Sequence, residues 1–586
     1  MARRAWKPDS LRWEVAPRYE NAAELARQLH TSELVAQILA NRGVVDLDSA
    51  RDFLNPKMMH LADPATLAGA QKAAQRVAQA IENEEKIVIY GDYDVDGMTS
   101  TAILHACLKM LGATAEYYVP HRLDEGYGLS KASLEKICSA GADLIITVDC
   151  GITAIDEVAY AKSQGTDIII TDHHQPQSEL PAAVAIVHPA IKNEANEDYA
   201  NPDLCGAGVA FKLAWQIARV VAGQDRVDEK MRAFLLDATC LAALGTIADV
   251  VPLIGENRVL ARFGLLGIPS CNNVGIQAML HSANLVDKKL DSFDVGFVIA
   301  PRLNAAGRMG HARLAVELLT TDQPDRAMEI AEYLKAQNTQ RQKVEREITK
   351  QAVEMVEDQR LNEDSSKSIV LGSDKWHGGV IGIVASRLVD RFHRPTILFA
   401  FNDKGIGHGS GRSIAGFNIA DAMTACSEPL LSFGGHAMAG GCRVKQEDLE
   451  NFADAFADYA GKYVPTEQLV PPLNIDALTH LGALDYDLAG QLEKLGPHGQ
   501  ANKPPLVAIE NCQMIGAPRR IGKTGATVSM LLVQNGVRVR AVGFGMGDLA
   551  DMLTGSETIS IAGEPMLNHF QGRTSVEFRL ADVKWE

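Results

Sequence analysis

KIVIYGDYDVDG, residues 86–97, decides the fold: a β-branched apolar run ends on a glycine and then sets aspartates at alternate positions, Asp92, Asp94 and Asp96. The same grammar returns twice, in DLIITVDCG (143–151) and in DIIITDHH (167–174). AEYYVP (115–120) and VAIVHP (184–189) are further short runs, with amphipathic segments near 97–111, 130–140 and 153–164 between them. Runs this apolar are buried on both faces, which predicts a parallel sheet covered by helices. In such a sheet the ligand site lies beyond the carboxyl ends of the strands. Three strands therefore bring Asp92, Asp94, Asp96, Asp149, Asp172, His173 and His174 to one edge. Asp249, in ALGTIADVVP (243–252), is a further acid in an apolar segment. Oxygen donors with one or two imidazoles suit Mn²⁺ or Mg²⁺, and a shared carboxylate can hold two such ions. For any one motif a simpler role competes; Asp96 before Gly97 reads as a helix N-cap. The recurrence on successive strands favours metal for the set.

Composition narrows the class. Of 586 residues 46% are hydrophobic, 22% charged and 6% aromatic, which excludes a disordered, collagenous or disulfide-scaffold chain. A net charge of −17 argues against a protein that simply coats nucleic acid, while leaving room for a local groove. The nine cysteines include no C-x-x-C pair, so thiolate zinc sites are not expected and a reducing compartment is. MARRAWKPDS has no apolar signal core, and Phe234 to Ile254 carries Asp237 and Asp249, so the expectation is a cytoplasmic chain with no membrane span.

The organisation reads as α/β and multidomain. Residues 1–69 form an N-terminal extension and 70–322 the parallel-sheet domain, helical from Val209 to about Leu265. Residues 323–361 lack glycine, and lack proline after Pro324; one polar helix there would bridge two domains. Residues 362–462 form a second α/β unit with glycine-rich clusters, and 463–586 hold short alternating strands spaced like a small antiparallel barrel. GKTG (522–525) lacks the upstream spacing of a P-loop and reads as a hairpin turn.

GDYDVDG, VDCG, TDHH and ALGTIADVVP, in this order, resemble the first four motifs of the DHH phosphoesterases. PRLNAAGR (301–308), SGRS (410–413) and GGHAMAGG (434–441) are similar to the RecJ-type branch, single-strand-specific 5′→3′ exonucleases. The resemblance implies a DHH domain, a DHHA1-type substrate-binding domain and an OB-like barrel. It implies two divalent cations, Mn²⁺ or Mg²⁺, held by Asp94, Asp96, Asp149, His173 and Asp249, with Asp149 as the bridge. His174 would face the scissile phosphate and Asp172 would orient the histidine pair. Many DHH relatives carry His where this chain has Tyr90, so one metal either lacks an imidazole, uses water, or recruits Asp92.

The glycine-rich turns set hydroxyl, guanidinium and backbone N–H groups where a phosphate suits them. By resemblance Ser410, Arg412 and His436 bind the 5′-terminal phosphate, with Arg122 facing them. Asn304, Arg308, Gln337 and Arg341 are candidates for backbone contacts, and Tyr127 for base stacking. Arg519, Arg520, Lys523, Arg538 and Arg540 would line a path on the barrel. The expected chemistry is two-metal hydrolysis of single-stranded DNA to 5′-mononucleotides, in repair and recombination, with single-strand-binding protein and a helicase as partners. The alternatives are a DHH enzyme acting on short oligonucleotides or cyclic dinucleotides, and an inactive DNA-binding scaffold.

Overall fold

The computed structural model describes residues 10–121, 125, 128–308, 311–553, 558–570 and 573–585. They fall into two compact units: Asp46–Thr339 with Lys494–Pro504, and the described parts of Met1–Val45, Gln340–Glu493 and Pro505–Glu586.

The first unit is built on five parallel strands, β1 (Ile87–Tyr90), β2 (Ala115–Tyr118), β3 (Leu144–Val148), β4 (Asp167–Thr171) and β5 (Ala185–Val187), in the order β2-β1-β3-β4-β5. All of β1 and β3 is buried, whereas β2, at the sheet edge, is not. Ile87, Ile89, Leu144 and Ile146 face a large core shared with helices, while Val88, Tyr90 and Ile145 face a smaller one on the other side. That two-sided burial is why the strands read as continuous apolar runs. The chain leaves β1 toward β2 and returns on the other side as β3, so the switch point lies between β1 and β3. Register aligns Tyr90 with Thr147 and Val148 with Thr171, so Asp92, Asp149 and Asp172 leave the sheet at the same edge. Helices α1 (Val95–Met110), α2 (Gly206–Ala222), α3 (Glu229–Ala248) and α4 (Ala300–Arg308) complete this part of the unit. Among the described residues α3 alone is long and apolar enough to cross a membrane, and 61% of its most apolar window is buried within the protein.

Helix α5 (Pro324–Asp358) is the long helix expected, and the division between units falls inside it. It carries two separate apolar stripes. Ala327, Ile330, Ala331 and Leu334 join the core of the first unit, and Ile348, Ala352 and Val356 join a core of the second. Two short stripes on one polar rod explain a helix that fills neither core alone.

In the second unit, β6 (Ile369–Ser373), β7 (Thr396–Phe401), β8 (Ile406–Arg412), β9 (Leu430–Gly435) and β10 (Ala439–Lys445) form a mixed sheet ordered β9-β10-β8-β7-β6, with α6 (Gly378–Phe392) following β6. The last strands close on themselves. Val507–Met514 pairs with Thr558–Phe570 and also with Thr527–Gln534, so five strands form a ring. The barrel is not wholly antiparallel as the alternation suggested, because Val537–Phe544 runs parallel to Arg573–Trp585. GKTG is a turn between antiparallel strands, with Gly522 at φ 81° and Gly525 at φ 64°. The described N-terminal residues also belong to this unit. Arg12–Val15 pairs with Pro472–Ile475, and Trp13 Nε1 donates to Asp582 Oδ2 at 2.7 Å.

Candidate metal centre

Asp94 caps α1, its Oδ1 accepting from Gly97 N at 3.1 Å. The cap is therefore Asp94, and Asp96, for which capping was the simpler alternative to a metal role, sits inside the first turn. Asp96 is buried and held elsewhere: Gly206 N donates to its Oδ2 at 2.6 Å and Ala207 N to its Oδ1 at 2.8 Å. The amino end of α2 thus fixes a carboxylate that α1 supplies. Close approach requires glycine twice. A Cβ on Gly206 would stand 2.8 Å from the Asp149 Cβ, and one on Gly245 would stand 2.5 Å from Asp96 Oδ1. Asp149 adopts φ 60°, a left-handed conformation Asp tolerates better than most residues, at the sharp exit from β3.

His173 Nε2 lies 3.1 Å from Asp149 Oδ1, 3.6 Å from Asp249 Oδ2 and 3.7 Å from Asp96 Oδ2. It is buried and makes no hydrogen bond of sound geometry among the described residues. Among the described residues, donor atoms close enough to share an ion form three groups: Asp149 with His173 and His174, Asp96 with His173 and Asp249, and Asp92 with Asp94 and Asp149. Asp149 and His173 each belong to two of them. Asp92 thus offers a donor atom to the third group, while the Tyr90 hydroxyl donates to Gly128 O at 3.0 Å, with Ser133 Oγ 3.3 Å away.

Electrostatics separates these acids from Asp172. Burial, then the charge of Asp94, raises Asp96 from 3.8 to about 7. Burial, then Asp96 and Asp94, raises Asp249 to about 8, and Asp149 is raised well above its ordinary value for similar reasons. Burial also pushes Asp172 upward, but its bonds to His174 and the Ile152 N–H outweigh that, leaving it below the ordinary value. Asp172 Oδ1 accepts from His173 N at 2.7 Å and bonds His174 Nδ1 at 2.8 Å, and Oδ2 accepts from Ile152 N at 2.9 Å. Burial lowers His174, but Asp172 more than reverses it, to about 9. His173, lowered by burial and then by His174 to about 4, stays neutral with a nitrogen available to a cation. Hard oxygen donors raised by burial and by mutual repulsion, beside a neutral imidazole, fit divalent ions.

Sequence reasoning missed His188, which sits behind the pair. Its Nε2 bonds His174 O at 2.8 Å and its Nδ1 accepts from Ala190 N at 3.1 Å. The only signal was an imidazole ending VAIVHP on the neighbouring strand. The α2 amides were missed too, since nothing local to Asp96 reveals them.

Residues 86–243 match the DHH family N-terminal domain, 365–462 the DHHA1 domain and 475–582 the RecJ OB domain. The single-stranded-DNA-specific exonuclease RecJ of Bacillus subtilis is 38% identical over 98% of this chain and 71% of its own length. This chain belongs to the RecJ family. The RecJ of Escherichia coli is 32% identical over 96% of this chain and 97% of its own length. The crystal structure of RecJ in complex with Mn²⁺ from Thermus thermophilus superposes with a TM-score of 0.83 at 30% identity, covering 99% of this chain and 80% of that one.

The remaining expected site residues lie apart from the acids in the chain. Arg412 Nη1 donates to Ser410 Oγ at 3.2 Å and to Gly411 O at 2.7 Å. Gly382, on α6, leaves room beside both, since a Cβ there would stand 2.8 Å from Ser410 Oγ. His436 is exposed at the β9–β10 turn, its N–H bonded to Ala439 O. Asn304 and Gln337 are half-buried on α4 and α5. Arg341, a candidate for a backbone contact, lies further along α5. It is buried against Glu345, at 3.1 Å, and Glu345 also takes Arg387. Arg520 and Arg540 are likewise engaged, by Asp548 and Asp551 and by Glu577. Arg519, Lys523 and Arg538 are exposed. Arg122, Tyr127 and the side chain of Arg308 lie outside the described residues.

Proposed function

We propose that this chain is a metal-dependent exonuclease that degrades single-stranded DNA from the 5′ end to 5′-mononucleotides, in DNA repair and recombination. The observation that carries the reading is the convergence of three ligand-spaced groups on Asp149 and His173 at the switch point of the sheet. Relatives that share the family are named for single-stranded DNA.

Asp92, Asp94, Asp96, Asp149, His173 and Asp249 would hold two Mn²⁺ or Mg²⁺ ions, with Asp149 between them. Bound there, the ions supply the positive charge that neutralises the phosphodiester and acidifies water for attack. The chain's own residues do the rest. Asp172 takes the Nδ1 proton side of His174, which leaves Nε2 toward the phosphate. His188 holds the His174 carbonyl and so fixes the turn that carries both imidazoles. Cys150 is not a nucleophile, because burial and then the Asp172 charge keep its thiol protonated. Ser410, Arg412 and His436 bind the 5′-terminal phosphate, and Asn304, Arg308 and Gln337 grip the strand, with Arg122 and Tyr127 as further contacts. Single-strand-binding protein and a helicase are its partners, in the cytoplasm.

Digestion of single-stranded DNA labelled at either end, with Mn²⁺, Mg²⁺ or EDTA, tests this. Metal-dependent release of mononucleotides from the 5′ end, reduced when that end is blocked, is the expected result. DNA binding without hydrolysis in either metal overturns it, as does activity confined to the shortest oligonucleotides.

A further inference from the structure

Between the metal-site helix α3 and the PRLNAAGR motif lies a segment whose aromatic residues no role above uses. Phe293 is 54% exposed and Phe297 52% exposed, and their ring centroids lie 4.8 Å apart at an interplanar angle of 30°. They sit four residues apart across a short helical turn, Ser292–Asp294, and a π-helix, Val295–Ile299. Exposing two large aromatic rings side by side costs apolar burial that a structural role would recover. The backbone beneath them is firmly held. Asp291 and Asp294 cap one another, Asp294 pairs with Lys288, Ser292 bonds His498 O, and Val295 and Ile299 are buried. A π-helical turn in such a frame is a common mark of a functional site.

The π-helix packs against α3, the helix that leads into Asp249. A Cβ on Gly296 would stand 3.9 Å from Ile247 Cγ2, and Ile247 lies two residues before Asp249. Val250 directly after Asp249 is 63% exposed with φ 63°, a conformation a β-branched side chain rarely adopts. The turn thus leaves an apolar side chain exposed directly after Asp249 in the chain. Arg302 follows on α4; its Nη1 donates to Val298 O, and its Nε is buried without a hydrogen-bond partner among the described residues. A flat aromatic face followed on the next turn by a guanidinium matches the base and phosphate of one nucleotide.

We propose that Phe293 and Phe297 form a stacking platform for a nucleobase of the single-stranded substrate. This rests on the exonuclease reading above and adds a base-binding site to it. Stacking without base-edge hydrogen bonds makes the contact tolerant of sequence.

The test uses the full chain, a 5′-phosphorylated oligodeoxythymidylate, and the same oligonucleotide with one abasic residue walked along it. Binding is measured in EDTA, and kcat and KM in Mn²⁺. F293A/F297A is expected to weaken binding roughly tenfold, the effect of losing one stacked base, and to raise KM far more than it lowers kcat. F293W/F297W should retain binding and F293L/F297L should not, because the requirement is a π-face rather than apolar area. One abasic position should weaken the wild type by a similar factor and F293A/F297A by almost nothing. Wild-type affinity in F293L/F297L, or equal sensitivity of both proteins at every abasic position, overturns the proposal. A wild type that neither binds nor degrades the oligonucleotide fails the exonuclease reading itself, which separates the two failures.

Discussion

The acids at the sheet edge and the arginines of the barrel handle charge in opposite ways. Asp96, Asp149 and Asp249 are packed within reach of one another and of His173, and each is driven to a raised pKa. Arg520 and Arg540, marked in the sequence as DNA contacts, are matched by Asp548, Asp551 and Glu577. Crowded like charge is costly and persists where an external ion relieves it; charge matched within the fold has met its partner already. The lesson is visible inside the metal site too. Asp172, with its own hydrogen-bond donors, is lowered where its neighbours are raised.

The sharpest way to break this contrast is Asp149→Ala. Hydrolysis in Mn²⁺ should fall roughly a thousandfold or more, because Asp149 serves two of the ligand groups. Single-stranded DNA binding in EDTA should be nearly unchanged, and the metal-free protein should melt no lower than wild type. Wild-type turnover would remove the bridging role. Asp172→Asn should cost about ten- to a hundredfold in activity or Mn²⁺ affinity, as expected for a group that orients a ligating histidine pair. Titration of Mn²⁺ by calorimetry and initial rates check it.

The pH dependence sharpens the comparison. A carboxyl raised in the fold stabilises it while protonated, and that contribution fades as pH rises from its ordinary value through the raised one. For Asp96 and Asp249 the window runs from 3.8 to about 7 and about 8. His174, raised from 6.5 to about 9, loses its contribution over that later interval, in the same direction. Thermal melts in EDTA should therefore fall in Tm from about pH 5 to pH 8, and Mn²⁺ should restore more at the alkaline end. A flat profile would mean that burial and mutual repulsion do not raise these acids as described.

Arg412→Ala is expected to reduce the preference for a 5′-phosphorylated end by roughly tenfold, the loss of charge-assisted hydrogen bonds to a phosphate. The smallest effect belongs to the barrel. Arg540→Ala should change DNA binding by less than about threefold, and stability by at most about 1 kcal/mol, as for an exposed ion pair. A large loss of binding there would show that a matched arginine still serves the substrate.

Much of the metal centre was legible because each component is local. A β-branched run ending in Asp-x-Asp or Asp-His-His states both the strand and its functional end, and the parallel order brings those ends together. The long helix was legible for the same reason, running Pro324–Asp358 where residues 323–361 were expected. The Arg341–Glu345 pair was legible too, since the two residues stand one helical turn apart. Capping, the simpler role weighed against metal binding for Asp96, falls to Asp94 instead, because the amides of α2 hold Asp96 from across the fold.

The sequence by itself determined the strand-and-acid grammar, the bridging helix and the strand-rich terminus, all set by periodicity and by residues near one another in the chain. Only the tertiary structure decided which charges are relieved. It set the α2 amides on Asp96, His188 behind His174, acids on Arg520 and Arg540, and Arg12–Val15 beside Pro472–Ile475. Those outcomes depend on partners distant in sequence, and whether a buried charge is matched or left for a ligand is a property of the packed neighbourhood rather than of the residue.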